Sequence, residues 1–283
     1  MKPNKLATFA AYTILIVISL VMIYPFLWML FSSFKTNTEI IQNPLSLIPQ
    51  KWTLDGYKGI MVLSKNSIWH YFKNSIIISF GVTAVVVVST ALVGYALYRK
   101  NDLPLFRAIE KAFMISLMYP AVLRLIPLYV MIVNMNLYNT GNYWGIILVS
   151  STGAWGAALP YFLFKQFFAS MPYELIEAAS IDGATEIGIF AKIVVPVMYP
   201  VFTTSVLISF LMSWGNWLPV LMLSKDMSTY NLTAMLVNLN SELGVDLSQT
   251  AALCTFITLP VVIVFLITQH KVMDGIAAGS VKG

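Results

Sequence analysis

Ser170-Met-Pro-Tyr-Glu-Leu-Ile-Glu-Ala-Ala-Ser-Ile-Asp-Gly-Ala-Thr-Glu-Ile-Gly-Ile-Phe-Ala-Lys-Ile-Val-Val-Pro196 stands between two apolar runs, 143 to 164 and 199 to 223. Its local signals divide it into two short helices. Pro172 suits a first helical position, with Ser170 or Met171 as the cap ahead of it. Leu175, Ala178, Ala179 and Asp182 follow at helical spacing and give a face of mostly small side chains that another protein can approach closely. Gly183 then stops the helix, because glycine adopts the left-handed conformation at no steric cost. Asp182 is placed to accept from the amides of Ala184 or Thr185 and start the next helix. Ile187, Phe190 and Val194 make one apolar stripe on that second helix, and Pro196 closes it.

Outward from this loop the chain is built for lipid. Of 283 residues 58% are hydrophobic and 10% charged, against about a quarter charged in soluble domains. Apolar runs of about 20 residues cross a bilayer core, and six are legible at 9–31, 75–97, 112–134, 143–164, 199–223 and 249–268. The expected fold is therefore all-α: one polytopic membrane domain, residues 1–283, with six transmembrane helices and the 170–196 loop between the fourth and fifth. The first run follows Lys2 and Lys5 but lacks a small-residue cleavage pattern, so it reads as an anchor.

Placing the N-terminus in the cytoplasm puts Lys2, Lys5, Arg99, Lys100, Arg107, Lys111, Lys165, Lys192, Lys271 and Lys282 inside. Lys35, Lys51, Lys58, Lys65, Lys73 and Lys225 fall outside. The excess of basic residues inside sets this orientation, with both termini and the 170–196 loop cytoplasmic. A nucleic-acid interface needs a soluble basic face, and loops this short supply none.

All twelve acidic residues fall in loops or at span ends, Glu110 being nearest a span interior. A carrier driven by protons or sodium ions would be expected to embed such groups. No glycine-rich phosphate loop ending in Lys-Ser/Thr is present, so an ATP-driven process would need a partner to bind the nucleotide. Cys254 has no second cysteine to pair with, and His70 and His270 fall at opposite faces, so no metal site is expected and no catalytic residue is assigned.

Glu177-Ala178-Ala179, Asp182-Gly183-Ala184, Phe190, Ile193 and Pro196 resemble the EAA loop of ABC importer permeases. The resemblance implies that Glu177, Ala178, Ala179, Asp182, Gly183, Ala184 and Phe190 form a coupling helix that docks on an ATPase subunit. Other stretches are similar to carbohydrate permeases: Ser33-Phe34-Lys35-Thr36 with Glu39, Asn74-Ser75, Tyr95-Ala96-Leu97 with Arg99, Ile126-Pro127-Leu128-Tyr129, and the ending Gly275 to Gly283. Together they look like the shorter, six-span permease of a maltose-type importer. That resemblance implies a second permease, two ATPase subunits that bind ATP and magnesium, an external solute-binding protein and a sugar or oligosaccharide substrate in a bacterial cell membrane. It also implies contact of the tail, through Gly279 and Lys282, with the ATPases. A lipid-surface hairpin is the alternative for the loop, although such helices are usually basic and this one carries Glu174, Glu177, Asp182 and Glu186 against Lys192.

A sugar path should combine amides, hydroxyls and aromatic rings in interrupted spans. Ser213-Trp214-Gly215-Asn216-Trp217-Leu218-Pro219 fits, with Asn216 between Trp214 and Trp217. Ser150, Ser151, Thr152 and Trp155 are a second candidate set. The competing readings are close helix packing for the small residues and an interface belt for the indoles. Arg124 stands mid-span between Pro120 and Pro127. It either attracts an acidic sugar such as a uronate or pairs with carbonyls freed by the prolines. The rival functions are a stand-alone carrier, a membrane scaffold, and an ABC permease for another small solute such as a polyamine.

Overall fold

The computed structural model describes residues 5–63, 66–100, 103–138, 143–152, 156–242 and 246–280. Most of the backbone of these residues is helical, the one conformation besides a closed barrel that satisfies every peptide group within lipid. In chain order the helices are α1 (Lys5–Ser32), α2 (Asn37–Gln42), α3 (Asp55–Met61), α4 (Ile68–Arg99), α5 (Pro104–Met118), α6 (Leu125–Asn134), α7 (Trp144–Ser150), α8 (Ala158–Phe168) and α9 (Glu174–Ile181). They continue as α10 (Glu186–Ile189), α11 (Val195–Val197), α12 (Tyr199–Trp214), α13 (Leu218–Leu223), α14 (Leu232–Glu242) and α15 (Leu247–Ser280). A two-residue hairpin, β1 (Val62–Leu63) against β2 (Asn66–Ser67), precedes α4.

Among the described residues three helices are long and apolar enough to cross a bilayer: residues 8–32 of α1, all of α4, and 247–269 of α15. The chain is an integral membrane protein. Two further stretches pass only as bent pairs, α5 with residues 121–134 at 118°, and residues 186–197 with α12 at 82°. Among the described residues, then, three of the six expected runs form uninterrupted spanning helices. The run 112–134 breaks at Tyr119-Pro120, where both residues are extended (ψ 121° and 128°), because a proline disfavours the helical conformation of the residue before it. The run 143–164 is divided between α7 and α8. The run 199–223 stops at Trp214 and resumes at Leu218, with Gly215 as the cap.

The residues group into two compact units, 1–70 with 236–260, and 71–235 with 261–283. In the first, α3 lies against the start of α15. A Cβ on Gly56 would stand 2.6 Å from the Ser248 carbonyl oxygen, so the approach requires glycine. Asp246 caps α15 by accepting from the amides of Ser248 and Gln249 at 2.9 and 3.1 Å. The Leu247 amide donates to Asn37 at 3.0 Å. Apart from its last turn, α1 offers its apolar surface to its surroundings all round.

In the second unit α4 is the central element. Ile78, Val82 and Val86 pack with Ile132, Ile146, Val149 and Val220, while Val87, Ala91 and Tyr95 pack with Phe164, Phe168 and Val201. Near its start, buried Asn74 donates to the carbonyls of Ser228 and Tyr230, both at 2.8 Å, and accepts from the Tyr143 hydroxyl at 2.6 Å. Ser75 accepts from the Leu232 amide at 2.9 Å. One carboxamide thus fixes the segment after α13 to two helices. Asn74→Leu strands two carbonyls and a hydroxyl and should cost about 3 kcal/mol. The measurement is a thermal melt of the purified protein in detergent, with a midpoint several degrees below wild type.

Candidate functional site

The hairpin of α9 and α10 is shaped by its own sequence. Gly183 has φ +77°, and around it the Ala184 amide donates to Ala179 O while the Gly183 amide donates to Ser180 O, at 3.0 and 3.1 Å. That pattern is the left-handed glycine stop expected there. Two local expectations are corrected. The first helix begins at Glu174, two residues beyond Pro172, and the Ser170 hydroxyl bonds backward to Phe167 O at 2.8 Å. The second helix is capped by Thr185, which accepts from the Gly188 amide at 3.1 Å, while Asp182 closes the first.

The faces also divide differently from the stripes in the sequence. Ala179 is buried with Ile176, whereas Glu174, Leu175, Glu177, Ala178, Asp182, Gly183 and Ala184 are exposed. Ile187 is 82% exposed rather than sharing the inward face with half-buried Phe190 and fully buried Val194. A π-helical turn over Phe190–Val194 shifts the register after α10, so Ile189 and Val194 turn inward together. Ile181, at the end of α9, is 85% exposed. Two isoleucines and the Leu175 side chain thus stand outward with Glu174, Glu177 and Asp182 around them.

This hairpin is held by the end of α4. Arg99 grips Glu186 with two nitrogens, Nη2 to Oε1 at 2.6 Å and Nε to Oε2 at 3.3 Å. The Tyr95 hydroxyl donates to the same Oε2 at 2.7 Å. Arg99 Nη1 donates to the Tyr173 hydroxyl at 2.8 Å, and the Tyr98 hydroxyl to Met171 O at 3.0 Å. The hydrogen bond from Arg99, then that from Tyr95, holds the Glu186 carboxyl below the usual glutamate range. Sequence reasoning noted Tyr95 and Arg99 only as a resemblance and Glu186 only as a charge. The available signal was an acid in the first turn of α10 and an Arg ending a long helix, but their separation in sequence gave no hint of the pairing.

The candidate path residues scatter. Trp214 is buried, its ring against Phe72 and Phe210 at centroid distances of 6.0 and 5.5 Å. Asn216 and Trp217 stand in the break between α12 and α13, half-buried and 38% exposed respectively. Asn216 O accepts from Asn231 at 3.1 Å. Ser150 and Ser151 are buried, and the Ser151 and Thr152 hydroxyls bond back to Ile147 O and Val149 O at 2.7 and 2.8 Å. Trp155 lies outside the described residues. Arg124 follows the 118° break on a 3-10 turn (Ala121–Arg124), and its Nε and Nη2 are buried with no hydrogen-bond partner among the described residues. Neither of these nitrogens reaches the carbonyls that the prolines free. Gly279 lies in the last turn of α15, and Lys282 is outside the described residues.

A protein-family model described as a binding-protein-dependent transport system inner membrane component matches residues 91–274, which includes the α4 end, the hairpin and most of α15. The chain belongs to that family. Its members are non-catalytic membrane subunits of ABC transporters. This permease is 31% identical to the arabinooligosaccharides transport system permease of Halalkalibacterium halodurans, over 94% of this chain and 93% of that one. It is 30% identical to the diacetylchitobiose uptake system permease of Streptomyces coelicolor, over 96% and 88% of the two chains. Its fold matches a chain of a bacterial ABC transporter that imports the acidic polysaccharide alginate, with a TM-score of 0.80 at 18% identity, covering 95% of this chain and 98% of that one.

The clamp gives two linked expectations. Arg99→Ala and Glu186→Ala should each destabilise the permease by no more than about 1 kcal/mol after solvent screening, the double variant being no worse than either. Because the folded-state pKa of Glu186 is depressed, its contribution is present above the ordinary glutamate value and lost as pH falls through the depressed one. Thermal midpoints measured down an acid series should therefore fall less steeply for Glu186→Gln than for wild type.

Proposed function

We propose that this permease pairs with a second, different permease and two ATPase subunits, and passes a sugar or short oligosaccharide delivered by an external solute-binding protein. In this reading it has six crossings, three of them broken, and both termini in the cytoplasm. The α9–α10 hairpin then faces the cytoplasm as the coupling helix. The observation that carries the reading is the outward pair Ile181 and Ile187, beside Ala178 and Gly183, on a hairpin clamped to α4. Isolated apolar side chains this exposed on a rigid, acid-rimmed knob are what a protein groove receives, whereas a lipid-surface helix would present a basic rim. ATP and its magnesium belong to the ATPase partners, which the tail contacts through Gly279 and Lys282.

Family membership sets aside the stand-alone carrier and the scaffold. The sugar assignment is supported by the relatives, whose names specify arabinooligosaccharides and diacetylchitobiose. The break around Gly215, with Asn216 and Trp217 open in it, is the part of the path that this chain lines. Trp214 buttresses it from the core, and Ser151 and Thr152 lie with the packed helices. Arg124 adds a preference for acidic sugars: its guanidinium has no carboxylate partner among the described residues, and an uncompensated charge at mid-membrane costs at least about 2.5 kcal/mol. A solute carboxylate arriving beside it is favoured by that lack.

Affinity purification of the tagged permease in mild detergent should retain an ATPase subunit and a second permease. Ile181→Asp should lose the ATPase while keeping the second permease, and retention of the ATPase would refute docking through this knob. In whole-cell uptake, Arg124→Ala should impair acidic oligosaccharides far more than neutral ones. Equal loss for both classes would reject the charge preference.

A further inference from the structure

Glu110, the acidic residue nearest a span interior, pairs with Lys165 of α8, Oε1 and Nζ standing 2.7 Å apart. The pair borders a cavity of about 250 Å³ enclosed by the end of α4, α5 and α8, with Gly94, Leu97 and Phe168 as apolar walls. Tyr161 lines the same cavity. That residue is 1% exposed and its ring lies against Phe113 of α5 at a centroid distance of 4.5 Å, yet its hydroxyl meets no hydrogen-bonding group among the described residues. A buried hydroxyl without a partner is costly to keep, and one that opens on a cavity points to a ligand there.

The depth of the cavity follows from α4. Its 32 residues span about 48 Å, so a centred helix passes a hydrocarbon core of about 30 Å by about 9 Å at each end. Gly94, Leu97 and Tyr98 stand within about 8 Å of the helix end at Arg99, which places the cavity at the level of the lipid headgroups. Beside it, α5 has no buried residue, and Leu105 and Ile109 leave apolar surface uncovered ahead of Glu110.

The two charges select the headgroup. An ammonium donates three hydrogen bonds and a carboxylate accepts at both oxygens, so one contact between them leaves capacity on each. The Glu110 side chain is 23% exposed and that of Lys165 42%, which leaves water to screen them only in part. A lone anion drawn to Lys165 would stand beside the Glu110 carboxylate, and a lone cation would stand beside the ammonium. A ligand that carries both signs a short distance apart meets each with its opposite and leaves no charge uncompensated.

We propose that this cavity is a headgroup site for phosphatidylethanolamine in the leaflet at the C-terminal end of α4. The lipid phosphate accepts from the Lys165 ammonium and the Tyr161 hydroxyl, and the lipid ammonium donates to Glu110. Phosphatidylglycerol has no cation for Glu110, and the quaternary nitrogen of phosphatidylcholine has no N–H to donate. The proposal rests on α4 crossing the membrane and is independent of the transported solute and of the orientation of the chain.

The test uses the permease with the subunits that copurify, stripped of lipid in detergent and titrated with dioleoyl phosphatidylethanolamine, phosphatidylglycerol or phosphatidylcholine, with bound lipid counted by native mass spectrometry. The ethanolamine lipid should bind several-fold more tightly than the other two. Tyr161→Phe keeps the ring on Phe113 and the ion pair, and should lower that preference several-fold. Glu110→Gln leaves Lys165 unopposed and should turn the preference toward phosphatidylglycerol. Equal binding of the three lipids, or a preference that neither variant moves, would overturn the proposal. Free O-phosphoethanolamine at the same concentration should leave the lipid bound, and its displacement of the lipid would overturn the assignment to a membrane lipid.

Discussion

A peptide group within hydrocarbon has no water to bond, so its donor and acceptor must be met inside the protein. That requirement explains the long helices, and it also governs every place where a helix stops. Tyr119-Pro120 ends one helix with an imide that has no donor, and the Pro120 carbonyl is met by the Leu123 amide at 3.2 Å. At Trp214 the carbonyl left over by the break accepts the Thr233 hydroxyl at 2.9 Å, and Asn216 O is met by Asn231. Asn74 does the same for two carbonyls beyond α13. At the break after Trp214 and beyond α13, side chains from other elements complete the backbone.

The hairpin α9–α10 closes much of its backbone within itself. On the hairpin, Ser180 bonds back to Ile176 O at 2.8 Å and the glycine stop closes the helix end. Its charges remain outward, and its one strong ion pair is made toward α4. A carboxylate bridged by Arg99 and Tyr95 is directional in a way that the apolar packing of Phe168, Ile176 and Ile189 is not. Packing holds the hairpin against the helix ends, and the Arg99–Glu186 fork fixes its rotation, which decides where Ile181 and Ile187 point.

Much of this was legible in the chain. The apolar runs located α1, α4 and the membrane part of α15 to within a few residues at most ends, because a span of about 20 apolar residues admits few other structures. Gly183 marked the turn, since few other residues take its conformation cheaply. The broken runs were harder: hydropathy registers the membrane and is blind to direction, so 112–134 looked continuous although Pro120 stood within it. The outward position of Ile187 was missed because the periodicity assumed an unbroken α-helix, and the π-helical turn at Phe190 adds a residue to the count; Ala179 lies in a regular helix, and only tertiary packing decides that it turns inward. Glu186 and Arg99 were both in view, but a pair made through tertiary packing leaves no trace in local spacing. For the substrate path, composition selected polar residues in apolar runs. It could not tell Ser151, bonded to its own helix, from Asn216, standing in a break.

The two polar networks of the second unit lie at opposite ends of one helix. Asn74 and Ser75 bind the segment leading into α14, and Arg99 and Tyr95 bind the hairpin, 25 residues further on or about 37 Å by helical rise. No proline interrupts α4 between them, and its middle is packed by Val82, Val86 and Ala91, each with no exposed surface. A helix packed along one face in this way moves as a rod or not at all, since bending it would open its own hydrogen bonds in a place without water. Any displacement of the hairpin that keeps the Glu186 fork closed is therefore a displacement of α4, and reaches the Asn74 network undiminished along the axis. The fork is the softer of the two ends, since the Glu186 side chain is 60% exposed to competing water, whereas Asn74 is enclosed and triply bonded. A hard pull on the hairpin parts the fork before it disturbs the far end, so the exposed ion pair sets the largest force that the helix can carry.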